Sequence, residues 1–324
     1  MHCKKKILIA GASGLVGTNL QRRLKELNIS TIPTKFNSTS EEHSLYTTYD
    51  FRNYDDCLNA TKAIDTMVLV AGEFHGSNIR GIKANDVIFN NLKIIGGLLS
   101  AAAQNNISQV IFLSSATVYQ ESDKPIPEEY LDLNELPSKN YLGVATMFRY
   151  MEKMATIYAL DRKSKLVIFR PNIYGPWDNF DLNRARIIPT IIRKTFDNSD
   201  LISLVKSTDV IRDFVFVDDM VNDIVSEIQD EVFPDGEAIN IGSGNQGVSI
   251  KDLAELILNI QNIPLSHLTW NDNEFTSKNY RVNNIDKYLK IKSLNDLTSL
   301  NTGLQKTISW YKNFHHNANS LNIL

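Results

Sequence analysis

The chain has 324 residues, 43% hydrophobic and 22% charged, with a net charge of −3. That is the composition of a globular protein able to bury a large core; the charge balance argues against nucleic acid or an anionic membrane as partner, and no apolar run reaches the about 18 residues of a membrane span. The basic start MHCKKK leads into an apolar run broken by a glycine turn, unlike a secretory signal, and the two cysteines, Cys3 and Cys57, make neither a disulfide framework nor a metal cluster, so the expected compartment is the cytoplasm.

The first predicted unit is a strand, a turn and a helix. Ile7 to Ala10 is an apolar run of strand length, followed by Gly11, Gly14 and Gly17. Leu15, Leu20 and Leu24 then recur on one side of a helix whose other side carries Arg22, Arg23 and Lys25. At this spacing Gly11 allows a tight turn, Gly14 lets backbone approach a pyrophosphate, and Gly17 lets the helix lie close on the strand. The helix start offers unpaired N–H groups and partial positive charge to phosphates. Ser13, Leu15 and Val16 are assigned with the glycines to a dinucleotide site.

A second strand is expected over Ile29 to Thr34. A carboxylate at its end would take the ribose hydroxyls of NAD, and a base would take the extra phosphate of NADP. Lys35 stands there and no acid appears before Glu41, which leans toward NADP, with a solvated lysine as the alternative. Tyr49-Asp50-Phe51-Arg52 closes a third strand; Asp50 serves either the adenine amine or the start of the helix read in NYDDCLNATKAI. Thr66 to Ala71 is the next strand, with Ala71 and Gly72 bordering the cofactor. A loop from Glu73 to Ala84, a helix from Asp86 to Asn105, a strand from Val110 to Leu113 and the stretch Ser114 to Tyr119 follow. This alternation implies right-handed βαβ units, a parallel sheet, and ligands beyond the carboxyl ends of its strands.

Farther on, a helix is read over Gly143 to Asp161, a strand over Leu166 to Phe169, and a helix over Ile187 to Phe196. Val210 to Val217 carries Arg212-Asp213, with a helix from Asp218. INIGSGNQGVSIKDLAELIL reads as strand, glycine loop and a helix begun by Ser249. A short helix near Asp286 to Leu289 and a final amphipathic helix end the chain. The expected fold class is α/β: a Rossmann-type, doubly wound parallel sheet over residues 1–174, with later segments interleaved, and a smaller α/β C-terminal unit over 175–324 for substrate.

The motifs GASGLVG, SSATVY, YGPWDNF, RDFVFVDD, INIGSG and GLQKTISWY, in this order across nearly the whole chain, resemble the extended short-chain dehydrogenase/reductase superfamily. More narrowly they resemble its nucleotide-sugar epimerases, dehydratases and reductases. YGPWDNF followed by IIPTIIRK is similar to the branch containing GDP-fucose synthase, which raises GDP-sugars among the substrates. The resemblance implies that Gly11, Gly14 and Gly17 form the pyrophosphate loop and that Asp50 and Phe51 border adenine. It implies that Ser115 hydrogen-bonds the reacting hydroxyl, that Arg212 pairs with the nucleotide diphosphate, and that Arg281 and Asn172 help bind substrate. It also implies a homodimer paired through the helices Asp86–Asn105 and Gly143–Asp161, with Met147, Phe148, Met151 and Met154 as ordinary core residues in the alternative.

One departure matters. The family's chemistry rests on YxxxK on one helical face, where the ammonium lowers the phenol's pKa so that it takes a proton as hydride leaves. Aligning the tyrosine at Tyr141 puts Ala145 at the lysine position. Anchoring on FRYMEKMATIYA, the preferred register, puts Val144 and Phe148 at the two positions. The lysine is absent either way. Tyr141 and Lys139 remain near the site in sequence, and Tyr288 with Lys292 has the right spacing in the wrong context. The Asp-Glu of the 4,6-dehydratases is replaced by Ala116 and Thr117, which argues against that reaction.

Two functions are therefore weighed. The first is an NAD(P)-dependent oxidoreductase or epimerase acting on a nucleotide-linked sugar at carbon 4, with Ser115, Tyr141 or a bound water in place of the usual base. The second is a protein that binds dinucleotide and sugar nucleotide without turnover.

Overall fold

Ile7–Ala10 (β1) is buried throughout, as an apolar run in the middle of a parallel sheet must be. In the computed structural model, which describes residues 5–37, 45–73, 82–198, 200–205, 208–244, 247–271 and 280–320, the chain continues through α1 (Leu15–Glu26), β2 (Thr31–Lys35), β3 (Thr47–Thr48), α2 (Tyr54–Thr61), β4 (Thr66–Leu69), α3 (Ile82–Gln104), β5 (Gln109–Leu113), α4 (Leu142–Arg162), β6 (Lys165–Arg170), β7 (Ile173–Tyr174), α5 (Ile187–Asp197), β8 (Ile202–Val205), β9 (Ile211–Arg212), β10 (Val215–Phe216), α6 (Val217–Asp230), β11 (Glu237–Asn240), β12 (Val248–Ser249), α7 (Ile250–Ile260), β13 (Leu268–Asn271), β14 (Tyr280–Arg281) and α8 (Leu300–Ser320). Cys3 and most of the loop read between Glu73 and Ala84 lie outside the described residues.

Seven strands form one parallel sheet in the order β11-β6-β5-β4-β1-β2-β3. The chain winds outward in one direction from β1 and in the other from β4, so the topological switch point, where such sheets bind ligands, lies between those two strands. The fold class is the expected one. Segments beyond residue 174 also build this half: β11 joins the sheet beside β6, and α6 packs against α1. Three small sheets hold much of the remainder: β10 with β7, β13 with β8, and the mixed trio β12-β9-β14. No described helix is long and apolar enough to cross a membrane.

Two strands differ from their sequence reading, because backbone groups there are committed elsewhere. Ile29 does not start β2: its N–H bonds Leu24 O at the end of α1, just after Asn28 takes a left-handed φ of 56°. Nor does Asp50 belong to β3. Its N–H goes to Asp56 Oδ2 and its carbonyl to Asn53 N, which makes a turn. The cap of α2 is Asn53, whose side chain accepts from Asp55 N.

The carboxyl ends of β5, β6 and β11 are tied together by one buried polar network. Arg170, the last residue of β6, donates from Nε and Nη2 to Glu152 on α4 at 3.0 and 2.6 Å. Its Nη1 donates to Tyr119 Oη at 2.8 Å, and Tyr119 donates onward to Asn240 Oδ1 at 2.6 Å. Ser114 Oγ donates to the same Glu152 at 2.5 Å. Arg149, one helical turn before Glu152, donates to the carbonyls of Val118 and Glu135. All these side chains are buried, so the network is stable only while every member keeps its partner. Glu152→Ala would leave Arg170 charged and unpaired in the core. It should lower the unfolding free energy by about 3–5 kcal/mol, read from denaturant melts.

Candidate active site

The glycine loop lies at the switch point, and its three glycines answer to three different constraints. Gly11 has φ 95°, and a Cβ on it would stand 2.6 Å from Ala71 Cα at the end of β4. On Gly17 a Cβ would strike Gly11 O at 2.2 Å and Ala12 Cα at 2.6 Å, so this residue sets how close α1 comes to the loop. A Cβ on Gly14 would meet only Gly11 O at 3.6 Å, an ordinary contact. Nothing within the protein forces glycine there, which fits a position kept bare for a ligand. Gly14 is also the N-cap of α1 and offers no side-chain cap, so the first-turn N–H groups remain for an anion. Ser13 is exposed and Leu15 half-buried, whereas the Val16 side chain is in the core and leaves only its backbone to the site. Ala71 and Gly72 line the other wall, Ala71 half-exposed and Gly72 exposed. These residues fit a bound dinucleotide pyrophosphate.

At the end of β2, Thr34 O accepts from Ala12 N at 2.9 Å, which holds Lys35 next to the loop. Asp50 is gripped by the Arg52 fork, with Nε to Oδ1 and Nη2 to Oδ2 both 2.8 Å. The Arg52 hydrogen bonds lower the Asp50 pKa, and the two stay an ion pair. The Arg52 guanidinium lies 4.4 Å over the ring of Phe36, the residue after Lys35. Lys35 and the Asp50–Arg52 ion pair thus lie at this strand end. Phe51 is buried against Tyr49 and Cys57 and presents little side chain to any ligand. Burial pushes the Cys57 thiol up to about 12, so it stays an unreactive core group.

Beyond β5, Ser114 N and Ala116 N bond the carbonyls of Phe169 and Pro171, so the strand end is extended alongside β6. Ser115 then caps a short 3₁₀ turn, Ala116–Val118. Its Oγ accepts from Thr117 N at 3.2 Å and from Thr117 Oγ1 at 2.9 Å. Tyr141 is the N-cap residue of α4, half-buried, in a turn closed by its N–H to Ser138 O and anchored by Ser138 Oγ on Glu121. One turn on, Ala145 is fully buried, and Phe148 is in the core.

The phenol of Tyr141 turns to Arg212 and Arg281. Those arginines are far apart in sequence, but the parallel pairing of β14 with β9 sets them in register. The Arg281 guanidinium lies 4.5 Å from the Tyr141 ring centroid, and both arginines hydrogen-bond the phenol. Burial alone would raise the Tyr141 pKa; the charges of Arg281 and Arg212, with their hydrogen bonds, outweigh it and bring it down to about 8. Burial and the neighbouring Arg281 charge likewise bring Arg212 down to about 10. Arg281 Nε is buried with no hydrogen-bond partner among the described residues. Asn172 donates to Asp213 O at 2.7 Å and braces the turn that follows Arg212.

Of the residues singled out in the sequence, the glycine loop, Ala71 and Gly72 come together, and so do Tyr141, Arg212 and Arg281. Tyr288 and Lys292 are elsewhere: the Tyr288 hydroxyl donates to buried Asp223 at 3.3 Å, and burial with that carboxylate raises its pKa, which unfits it as a base. Sequence reasoning missed Arg52 and the Glu152–Arg170 network. The available signal for the latter was a polar last residue on each of two apolar strands, KLVIFR and EAIN.

The geometry is that of an α/β protein with a glycine loop at the switch point of its parallel sheet and a cationic pair, Arg212 and Arg281, on a separate small sheet. Residues 7–242 match the NAD dependent epimerase/dehydratase family, and the chain belongs to it. It is 28% identical to the GDP-L-fucose synthase of Escherichia coli K12, over 79% of this chain and 81% of that one. Among solved structures it is similar to a GDP-6-OMe-4-keto-L-xylo-heptose reductase from C. jejuni, with TM-score 0.81 and 22% identity over 97% and 99% of the two chains. A GDP-mannoheptose C4 reductase from Campylobacter jejuni with NADP bound gives TM-score 0.77 and 21% identity over 96% and 99%.

The glycines make separable predictions. Gly17→Ala should force backbone apart and cost about 1–3 kcal/mol of stability. Gly14→Ala should leave stability within about 1 kcal/mol and weaken dinucleotide binding about tenfold, measured by calorimetry on the folded variant.

Proposed function

We propose that the protein is an NADP-dependent oxidoreductase that moves hydride to or from carbon 4 of a GDP-linked sugar, as a reductase or epimerase. The observation that carries this reading is the Arg212–Arg281 pair, in register beside Tyr141 in a chain whose sheet also holds a dinucleotide loop. Two guanidinia side by side match the bidentate geometry of a diphosphate. GDP-sugars are supported by what the named relatives act on. NADP is supported by Lys35 at the end of β2, where NAD would call for a carboxylate.

When bound, the nicotinamide supplies or accepts the hydride. In this reading the loop from Gly11 to Gly17 and the start of α1 hold the pyrophosphate. Ser115 Oγ holds the reacting oxygen, and Tyr141 moves its proton. Arg212 and Arg281 take the diphosphate, so that binding energy far from carbon 4 positions the sugar. Ala116 and Thr117 carry no carboxylate, and removal of water is left out of the proposed chemistry.

One observation favours a second reading. Ala145 and Phe148 occupy both candidate positions for the missing lysine, as a protein that binds without turnover would allow. Turnover separates the two. Mixed with NADPH and a panel of GDP-linked 4-keto sugars, the enzyme should consume the reduced-nicotinamide absorbance, and Tyr141→Phe should lower kcat about 10²- to 10⁴-fold. A dinucleotide that stays bound and unchanged with every sugar would establish the binding protein instead.

The proposed assembly is a homodimer. Tyr150, Met154 and Ile157 form an exposed stripe at helical spacing on α4, and Phe89 is exposed on the adjoining α3. Met147, Phe148 and Met151 are core, but Met154 belongs to this stripe. Sedimentation should give a dimer, and Ile157→Glu should shift it to monomer.

A further inference from the structure

We propose that Arg212 and Arg281 stand in for the missing lysine as the positive charge beside Tyr141, and that a substrate diphosphate competes with the phenol for them, so that nucleotide binding drives a proton onto Tyr141. This rests on the reading above that the ligand carries a diphosphate.

The geometry makes these cations unlike a helical lysine. A lysine four residues after the tyrosine would be carried by the same helix and would stay with it. Here the charges come from β9 and β14, outside α4, and they are the groups a diphosphate would bridge. One phenol oxygen cannot occupy the donors of two guanidinia, which have five N–H groups each. Arg281 Nε, buried and without a hydrogen-bond partner among the described residues, is one such donor open to an incoming acceptor. A diphosphate brings more charge and more acceptor oxygens than a phenolate, and the bidentate geometry arginine prefers.

Among the described residues, the charged groups around the phenol are few. Arg281 faces it from β14 and Arg212 from β9. Asp213, next to Arg212, is held by Ser243 N at 2.9 Å; Glu121 is taken by Ser138; Lys139, in the turn before Tyr141, is exposed. With the two arginine charges neutralised by phosphate, the burial that opposes ionisation is left to act, and the phenol returns to its protonated form.

The proton balance follows. In the free protein near pH 8 the phenol is partly ionised. Diphosphate binding takes up a proton from solvent onto Tyr141 Oη. In a reduction, a bound reduced nicotinamide would supply the hydride to the keto carbon and be oxidised, while this proton would pass from Tyr141 Oη to the carbonyl oxygen, leaving phenolate. Release of the diphosphate-linked product returns both arginines to that phenolate. The cycle therefore arms a proton donor when a keto substrate is bound.

The test is a spectrophotometric tyrosine titration of the full chain, taken as wild type minus Tyr141→Phe, with and without saturating GDP. Without GDP the difference should show one tyrosine with a midpoint near 8. With GDP the midpoint should rise by about one pH unit or more, toward the ordinary value of about 10. Arg281→Gln should raise it without GDP, and Arg281→Lys, which keeps the charge, should hold it low. GDP binding is measured in parallel by calorimetry. If GDP binds but the midpoint does not move, the competition is wrong while the diphosphate reading stands. If neither GDP nor any other nucleoside diphosphate binds, both are overturned.

Discussion

The buried pair Glu152–Arg170 is the constraint on which the edge carrying the candidate site depends. It joins α4 to the end of β6, and through Ser114, Tyr119 and Asn240 it reaches the ends of β5 and β11. A charge pair in a core is costly to bury and gives little net stability over an apolar substitute. What it supplies is direction. Its hydrogen bonds are satisfied in one relative arrangement of those four elements, and Ser115 and Tyr141 ride on two of them.

Two sheets divide the chemistry by charge. At the carboxyl ends of β1 and β4 in the seven-stranded sheet, the loop offers backbone N–H groups with no side chain in the way, at Gly14 above all. The β9–β14 pair, in a small sheet of its own with β12, offers two guanidinia that repel each other and are partly desolvated. The first site is suited to an anion by hydrogen bonds and a helix dipole, the second by formal charge. Tyr141 lies at the second, and its proton affinity is set by the same cations proposed to take the substrate.

The parts of the fold legible in the sequence were those that repeat locally. Apolar runs such as ILIA and VIFL must be buried on both faces, and a glycine turn between strand and helix has few other uses. Strand ends were less legible: Ile29 and Asp50 are excluded from strands by hydrogen bonds to residues on other elements. The site was legible residue by residue but not as a cluster. Arg212 and Arg281 were named separately, yet their adjacency depends on a two-residue pairing that no periodicity reveals. Helix register was the hardest. Counting back from FRYMEKMATIYA points to Val144, which packs toward the core, and nothing in that count reveals that Tyr141, three residues earlier, lies at the arginines.

Tyr141 is also where α4 begins. That helix has no side-chain cap and no acid in its first turn, so its opening turn lacks the two devices that ordinarily resist fraying. A terminus of this kind unwinds at low free-energy cost while the rest of the helix stays folded. The ring stacked under Arg281 and the phenol bonded to both arginines then act as the tether of that turn. The start of α4 is thereby held from two sides, by the Ser138 turn before it and by two charged side chains on another part of the chain.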